Sequence, residues 1–207
     1  MSYSYCLCVH NEGRDYLERC LFHIKACMTP DDELVIVDDY STNPDTVKVL
    51  EELSKTITIY KHALNGNFAE HKNYLLSLAK KDYIWLFDAD EYIEFDRMRV
   101  VLNIVAAHPQ VECFLIPRKN ILPGVTDELA TKMNWNIKNG LFNFPDFQPR
   151  IFKNTGNVKF SGNLHEWPSG YNNSAMIPVE LNIAIMHIKS IERQLAQHNF
   201  YETIKRT

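Results

Sequence analysis

Two aspartates separated by one residue, Asp88 and Asp90, directly follow the apolar run Tyr83–Phe87. Side chains alternate along an extended chain, so both carboxylates can face the same side. Paired carboxylate oxygens suit hard divalent cations such as Mg²⁺ or Mn²⁺, and such a cation would in turn bind a diphosphate. The pair predicts a metal site for a phosphorylated ligand, although an acidic turn that caps the next helix would leave the same pattern.

Two further polar clusters follow apolar runs earlier in the chain. His10–Glu12 follows Tyr5–Val9, and Asp38–Ser41 follows Leu34–Val37. Ligands bind beyond the carboxyl ends of the strands in an open parallel sheet, so all three clusters are expected at one edge. Carboxylates there can accept hydrogen bonds from a nucleobase or a ribose. Helix capping through Ser41 is the alternative for the second cluster.

The elements that must position these clusters alternate along the first half of the chain. Short apolar runs and helical patterns follow one another in β-α-β-α-β-α-β-α-β order between residues 5 and 116. This order predicts an α/β fold with an open, mostly parallel, twisted sheet flanked by helices. The continuous apolar run Tyr83–Phe87 is typical of a strand that is covered on both faces.

The second half is expected to form a smaller mixed region. Residues 118–146 are rich in Asn, Gly, Pro and aromatic residues and show little periodicity, which favours a long functional loop. Ser190–Lys205 is predicted to be a closing helix. Three short strands are predicted before it, at Phe147–Phe152, Val158–Phe160 and Ile183–Ile188. No repeat or linker divides the chain, so residues 1–207 are expected to form one domain.

Composition narrows the class of protein. The formal net charge of −4 gives no electrostatic argument for a polyanionic partner. Five cysteines without a paired C-x-x-C spacing argue against a disulfide framework and a zinc knuckle. The sequence shows neither a signal peptide nor an apolar run of the roughly 20 residues that cross a bilayer. A cytoplasmic protein without a transmembrane segment is expected.

Six segments of the chain, in order and at plausible spacing, resemble the family 2 glycosyltransferases over roughly residues 5–190. They are Val9–Glu12, Ile36–Thr42, Asn67–Asn73, Leu86–Glu91, Gln148–Phe152 and Gly162–Glu166. The resemblance implies a GT-A-type fold and transfer of a hexose or pentose from a nucleoside diphosphate sugar. It implies a nucleotide-sugar-binding half at residues 1–117 and an acceptor-side, catalytic half at residues 118–207. Two positions depart from the family pattern, because Tyr40 replaces a usual glycine and Lys72 a usual arginine.

The resemblance also implies which residues contact the donor. It places Asp39 or Asp38 against the nucleobase and Glu12 near the nucleoside. Lys72 would face the diphosphate, and Arg150 would either anchor a phosphate or sugar hydroxyl or pair with a surface acid. The remaining residues expected at the donor are Asn11, Ser41, Asn73 and Asp88.

Residues from both halves of the chain are expected to bind the metal, and the general base is expected in the second half. Asp90 is the predicted direct ligand of Mn²⁺ or Mg²⁺, with Asp88 as a second ligand or nearer the ribose. His187 lies in an apolar strand, so it is either a core residue or the ligand that completes the metal site, as the resemblance implies. Transfer needs a base for the acceptor hydroxyl, and Glu166 is the first choice, with His165 as the alternative.

The predicted reaction is an inverting, single-displacement transfer to a hydroxyl of a glycan, a lipid-linked saccharide, a protein or a hydroxylated nucleobase. A sugar nucleotidyltransferase is disfavoured because its glycine-rich loop after the first strand is missing from His10–Arg14. A non-catalytic nucleotide-sugar-binding module stays open. Several basic residues form either a phosphate-binding face for a nucleic-acid acceptor or a solvated surface, namely Arg118, Lys119, Lys132, Lys138, Lys205 and Arg206.

Overall fold

The structure, a computed structural model, describes the backbone of residues 1–204 and the side chains of residues 1–201. Its first half alternates strands and helices: β1 (Tyr3–Val9), α1 (Arg14–Cys27), β2 (Glu33–Asp38), α2 (Pro44–Ser54), β3 (Ile59–Lys61), α3 (Phe68–Leu78), β4 (Tyr83–Asp88), β5 (Glu91–Tyr92) and α4 (Phe95–Ala107). The second half contains β6 (Cys113–Ile121), α5 (Asp127–Lys132), β7 (Ile137–Lys138), β8 (Leu141–Lys153), β9 (Lys159–Ser161), β10 (Trp167–Ser169), β11 (Ser174–Met176), a 3₁₀ turn (Val179–Leu181), β12 (Ile185–Ile188) and α6 (Ile191–Ile204). Lys205 and Arg206, predicted as part of a basic face, lie outside the described residues.

Ten strands form one twisted sheet in the order β3-β2-β1-β4-β8-β6-β12-β5, with β7 beside β8 and β11 beside β6. The strands β3, β2, β1 and β4 are parallel, whereas β8 runs antiparallel to both β4 and β6. The predicted α/β class with an open, mostly parallel sheet is confirmed. The carboxyl ends of β1, β2 and β4 therefore lie side by side at one edge.

Both faces of the central strand β4 are buried, as its apolar sequence predicts. Trp85 and Phe87 belong to the core beneath α1, α2 and α4. Ile84 and Leu86 belong to a second core, where α3 contributes Leu75. Packing on both faces fixes β4, and it therefore fixes the direction of the acidic turn that follows it.

Residues 118–146 are more regular than the sequence indicated. β6 continues to Ile121, and β8 begins at Leu141 and pairs with it antiparallel, with register shifts along the ladder. Asn143 has a positive φ of 52°, which breaks the alternation of side chains that would reveal a strand. Because the partner strand lies far along the chain, local periodicity gave no sign of this pairing. The prediction of a long irregular segment was wrong for both ends of it.

A two-stranded hairpin of β9 and β10 holds the segment that contains Glu166. Gly170 follows this hairpin with a φ of +87°, and a Cβ there would lie 2.1 Å from the Asn157 carbonyl oxygen. Gly170→Ala is therefore expected to lower the free energy of unfolding by about 2–4 kcal/mol, through both backbone strain and a backbone clash.

Gly156→Ala is the matched control in urea unfolding, because Gly156 has a φ of +77° and a Cβ added there would meet no atom within 4 Å. That variant is expected to lose only about 1–2 kcal/mol from the strained backbone. Equal losses for the two variants would contradict the role of the close approach at Gly170.

No helix within residues 1–204 combines the length and the apolar character needed to cross a membrane. The five cysteines are free thiols, four of them buried in the two cores.

Candidate active site

A cleft of about 730 Å³ opens at the carboxyl ends of β1, β2 and β4 and is closed on the other side by the segment before β10 and by α6. Its charged lining combines acidic residues, Glu12, Asp39, Asp88, Asp90, Glu91, Asp146 and Glu166, with basic residues, Lys72, Arg118, Lys189 and Arg193. Each of the three acidic clusters thus reaches the cleft through at least one carboxylate. Among the side chains that the structure describes along these walls, acidic ones outnumber basic ones.

The two neighbouring aspartates after β2 have different surroundings. Asp39 lines the cleft, and its carboxylate accepts the backbone N–H of Leu64 at 2.8 Å and lies 3.2 Å from His10 Nδ1. Asp38 is fully buried, where it accepts the hydroxyl of Ser41 at 2.6 Å and pairs with Lys61. Asp39 is therefore the aspartate that can contact a ligand, whereas the oxygens of Asp38 are already bound within the protein.

Three other residues expected at the donor join separate segments of the chain instead of lining the cleft. The side-chain oxygen of Asn11 accepts the backbone N–H groups of Thr42 and Asn43, each at 2.7 Å. The Ser41 hydroxyl lies 3.2 Å from the Asn11 backbone nitrogen, which joins the same two loops. Asn73 bonds both backbone groups of Phe160, at 2.8 and 2.9 Å, and so fastens α3 to β9.

Glu12 lies inside the cleft and accepts the backbone N–H of His10 at 2.8 and 3.0 Å. Burial and the neighbouring Asp90 carboxylate raise the pKa of Glu12 to about 7, although the backbone N–H groups oppose the shift. An added cation would reduce the repulsion between the Glu12 and Asp90 carboxylates.

Along one wall of the cleft, four charged side chains of the lining and the buried Arg150 form a continuous chain of ion pairs. Arg150 donates to Asp88 at 2.7 Å and to Glu91 at 2.5 Å, and Arg118 joins Glu91 at 2.8 Å to Asp146 at 2.7 Å. Burial alone would raise the pKa of Asp88, but the adjacent Arg150 and Lys72 outweigh it and hold that pKa well below its usual range. Of the alternatives left open for Arg150, the structure shows the pairing with acids, of which Glu91 is buried and Asp88 is partly exposed in the cleft.

The sequence pattern did not predict Glu91 or Asp146 as site residues, and it placed Arg118 among the basic residues of an irregular segment. The signal for Glu91 was its position directly after Asp90. No local signal marks Asp146, because its partner Arg118 is brought opposite it only by the antiparallel pairing of β6 and β8.

The second aspartate of the pair, Asp90, is surrounded by basic groups from the end of the chain. Its Oδ2 atom lies 3.4 Å from His187 Nε2, 3.6 Å from Lys189 Nζ and 3.2 Å from Arg193 Nη2. Burial would raise the pKa of Asp90, yet these three groups hold it well below its usual range. Neither Lys189 nor Arg193 was predicted as a site residue; both follow the motifs that carry the resemblance.

The surroundings of His187 fit a metal ligand. Asn120 donates through Nδ2 to Asp146 at 3.0 Å, so its Oδ1 atom is the one that faces His187 Nδ1 at 2.7 Å. An amide oxygen only accepts, so Nδ1 carries the proton and Nε2 is left to face Asp90. A divalent cation between these two groups fits the donor set, as does a protonated His187 that pairs with Asp90.

Asp90 and His187 alone would not complete the coordination of a metal ion. Across the described part of the chain, no group of three His, Cys, Asp or Glu side chains is arranged to hold a metal ion. Mg²⁺ and related ions at phosphate sites take one or two carboxylates and fill the remaining positions with phosphate oxygens and water. Asp90 and His187 therefore fit a cation that binds together with a phosphorylated ligand.

Glu166 and His165 lie on the opposite wall of the cleft, before β10. The Glu166 carboxylate is 2.6 Å from Lys72 Nζ, which is itself 3.9 Å from Asp88 Oδ1. Burial would lower the pKa of Lys72, but the carboxylates of Asp88 and Glu166 outweigh it and raise that pKa. His165, with a positive φ of 58°, has its ring 6.0 Å from that of Tyr201 in α6.

Comparisons with known proteins agree with the fold and show a match to a protein family. The family described as Glycosyl transferase family 2 matches residues 4–166. The glycosyltransferase SunS of Bacillus subtilis is 24% identical over 181 residues, which cover 86% of this chain and 37% of SunS. Chondroitin synthase of Pasteurella multocida is 27% identical over 124 residues, which cover 58% of this chain and 12% of the synthase. The chain thus spans well under half the length of these relatives.

Solved structures share the architecture. S. aureus TarS, residues 1–349 in complex with UDP, superposes with a TM-score of 0.61 at 17% identity, covering 92% of this chain and 61% of that one. The same TarS fragment in complex with UDP-GlcNAc gives 0.61 at 17% identity, covering 91% and 59%. This similarity confirms the predicted GT-A-type fold.

Proposed function

The chain belongs to glycosyl transferase family 2, and we propose that it moves a sugar from a nucleoside diphosphate sugar to an acceptor hydroxyl, with inversion and with the help of Mn²⁺ or Mg²⁺. One observation carries the proposal. Asp39, Asp88, Asp90 and Glu166, from two strand ends and the hairpin segment, line the same cleft at the edge of the sheet where ligands of such folds bind.

The acid-rich lining supports a role for a divalent cation. A diphosphate is itself an anion, and a cleft in which acidic side chains outnumber basic ones would repel it. Asp90 and His187 would hold the cation, and Asp88 would face the ribose or a cation-bound water. When bound there, the cation neutralises the negative charge that develops on the departing nucleoside diphosphate.

The other residues orient the substrates. Asp39 and Glu12 lie at the ends of β2 and β1, where they would accept hydrogen bonds from the nucleoside. Glu166 would take the proton from the acceptor hydroxyl as it attacks the anomeric carbon, while Lys72 fixes the position of its carboxylate. His165 is the alternative base on the same wall. Residues 1–117 would then mainly bind the donor, and residues 118–207 would supply the base and the acceptor side.

A uridine nucleotide is the first donor to test, because the structural neighbour TarS has been solved with UDP and with UDP-GlcNAc. The identity of the sugar depends on the shape of the cleft beyond the diphosphate. The acceptor is a hydroxyl of a glycan, a lipid-linked saccharide, a protein or a hydroxylated nucleobase.

Thermal unfolding across a panel of nucleoside diphosphate sugars, with and without Mn²⁺, tests the proposal. A ligand at about 100 times its Kd stabilises the folded state by about 2.7 kcal/mol, which should raise Tm by about 5 °C or more. We expect such a rise for at least one donor, larger with Mn²⁺ than without it. Release of pyrophosphate from a nucleoside triphosphate and a sugar phosphate would instead identify a nucleotidyltransferase.

A further inference from the structure

The segment that follows the family-matched residues 4–166 brings two cationic side chains to a single carboxylate. Lys189 Nζ lies 3.6 Å and Arg193 Nη2 3.2 Å from Asp90 Oδ2. Both side chains line the cleft, and Asp90 is the carboxylate at which the divalent cation would bind. The divalent cation, Lys189 and Arg193 cannot all share this one carboxylate without strong repulsion, because like charges at such short distances repel in a partly buried site.

The two cations differ in how firmly they are held. Lys189 is 3% exposed and also donates to Gln197 Oε1 at 2.7 Å. Arg193 is 29% exposed; it also donates to the Glu12 carbonyl oxygen at 3.2 Å and lies over the Tyr16 ring at 4.8 Å. Arg193 is therefore the cation that can move away from Asp90 more easily, because its side chain is partly exposed whereas that of Lys189 is buried.

An anion must arrive with the divalent cation if the two protein cations are to stay in the cleft. A diphosphate meets this need, since its oxygens can bind the metal and the two basic side chains at the same time. The planar guanidinium of Arg193 presents paired N–H groups, which match two phosphate oxygens.

We propose that Lys189 and Arg193 are the diphosphate-binding residues of this cleft, and that Arg193 exchanges the Asp90 carboxylate for the donor phosphates when metal and donor bind together. This inference rests on the proposed function and deepens it. Arg193 competes with the metal while the donor is absent and assists the donor once the metal is present. The metal and the nucleoside diphosphate consequently bind cooperatively.

Arg193→Gln separates these two effects. Titration calorimetry first measures the affinity for Mn²⁺ alone. It then measures, at saturating Mn²⁺, the affinity for one nucleoside diphosphate, namely whichever of UDP, GDP, ADP and CDP the wild-type chain binds most tightly. The variant is expected to bind Mn²⁺ alone about 3-fold more tightly, because one competing cation is gone. It is expected to bind the nucleoside diphosphate about 10-fold more weakly, because a charged hydrogen bond to phosphate is lost.

Two further variants sharpen the experiment. Arg19→Gln is the matched control, because Arg19 also lies over the Tyr16 ring, at 5.3 Å, from outside the cleft lining. It is expected to leave both affinities unchanged. Arg193→Lys keeps the charge without the fork, so its nucleoside diphosphate affinity is expected between those of the wild type and Arg193→Gln.

Unchanged affinities in Arg193→Gln, or weaker binding of Mn²⁺ alone, would overturn this inference and leave the proposed function intact. If the wild-type chain binds none of the four nucleoside diphosphates with Mn²⁺, the donor site itself is overturned and the inference falls with it.

Discussion

Asp90→Asn is expected to lower metal-dependent donor turnover by about 10³-fold or more, because the neutral amide cannot balance a divalent cation where charge develops on the leaving group. Turnover is followed as release of nucleoside diphosphate from the donor, and Mn²⁺ affinity is measured in parallel by calorimetry. Both are expected to fall together, since the same carboxylate serves both. Undiminished Mn²⁺-stimulated turnover in this variant would remove Asp90 from the metal site.

The loss of activity in Asp90→Asn must be separated from a loss of fold. Asp90 neutralises Lys189, which is almost completely buried, and an unpaired buried charge costs about 3–5 kcal/mol. Urea unfolding of the variant therefore accompanies the assay, and activity is compared at a temperature where both proteins are folded. Asp45→Asn, a change in the exposed first turn of α2, is the matched control and is expected to keep full turnover.

Glu166→Gln is expected to lower donor turnover by about 10²- to 10⁴-fold while changing donor affinity little, because an amide cannot take a proton from the acceptor hydroxyl. Calorimetry with Mn²⁺ and the donor nucleotide checks binding, and nucleotide release checks turnover. The split between the two measurements distinguishes a base from a residue that merely shapes the cleft.

Two further variants accompany Glu166→Gln: a matched control and a test of the alternative base. Glu70→Gln changes an exposed glutamate on α3, the helix that carries Lys72, and is expected to leave turnover unchanged. His165→Ala tests the alternative base on the same wall. Full turnover in Glu166→Gln together with its loss in His165→Ala would assign the base to His165.

The donor edge of the cleft could be predicted because local sequence determines it. Each parallel strand is a continuous apolar run, and the polar residue that ends it must lie at the same edge as its neighbours. Asp39, Asp88 and Asp90 therefore reach the cleft as expected. The pattern could not separate Asp38 from Asp39, because which of two adjacent carboxylates faces the cleft depends on contacts with Ser41 and Lys61.

The buried ion pairs and the far wall could not be predicted in the same way. Arg150 meets Asp88 and Glu91 only because β8 inserts antiparallel between β4 and β6, a pairing that joins residues about 60 positions apart. Lys189 and Arg193 look like ordinary charges near a surface helix. Their role at Asp90 emerges only when β12 and α6 are placed against the acidic turn after β4.

The most direct test of a metal-assisted donor site is a crystal structure with Mn²⁺ and a nucleoside diphosphate, with the metal located by its anomalous scattering. We expect one strong peak within coordination distance of Asp90 and His187, next to the diphosphate, with Arg193 turned from Asp90 toward the phosphates. A nucleotide bound in the cleft without a metal peak at Asp90, or a metal bound elsewhere, would contradict it.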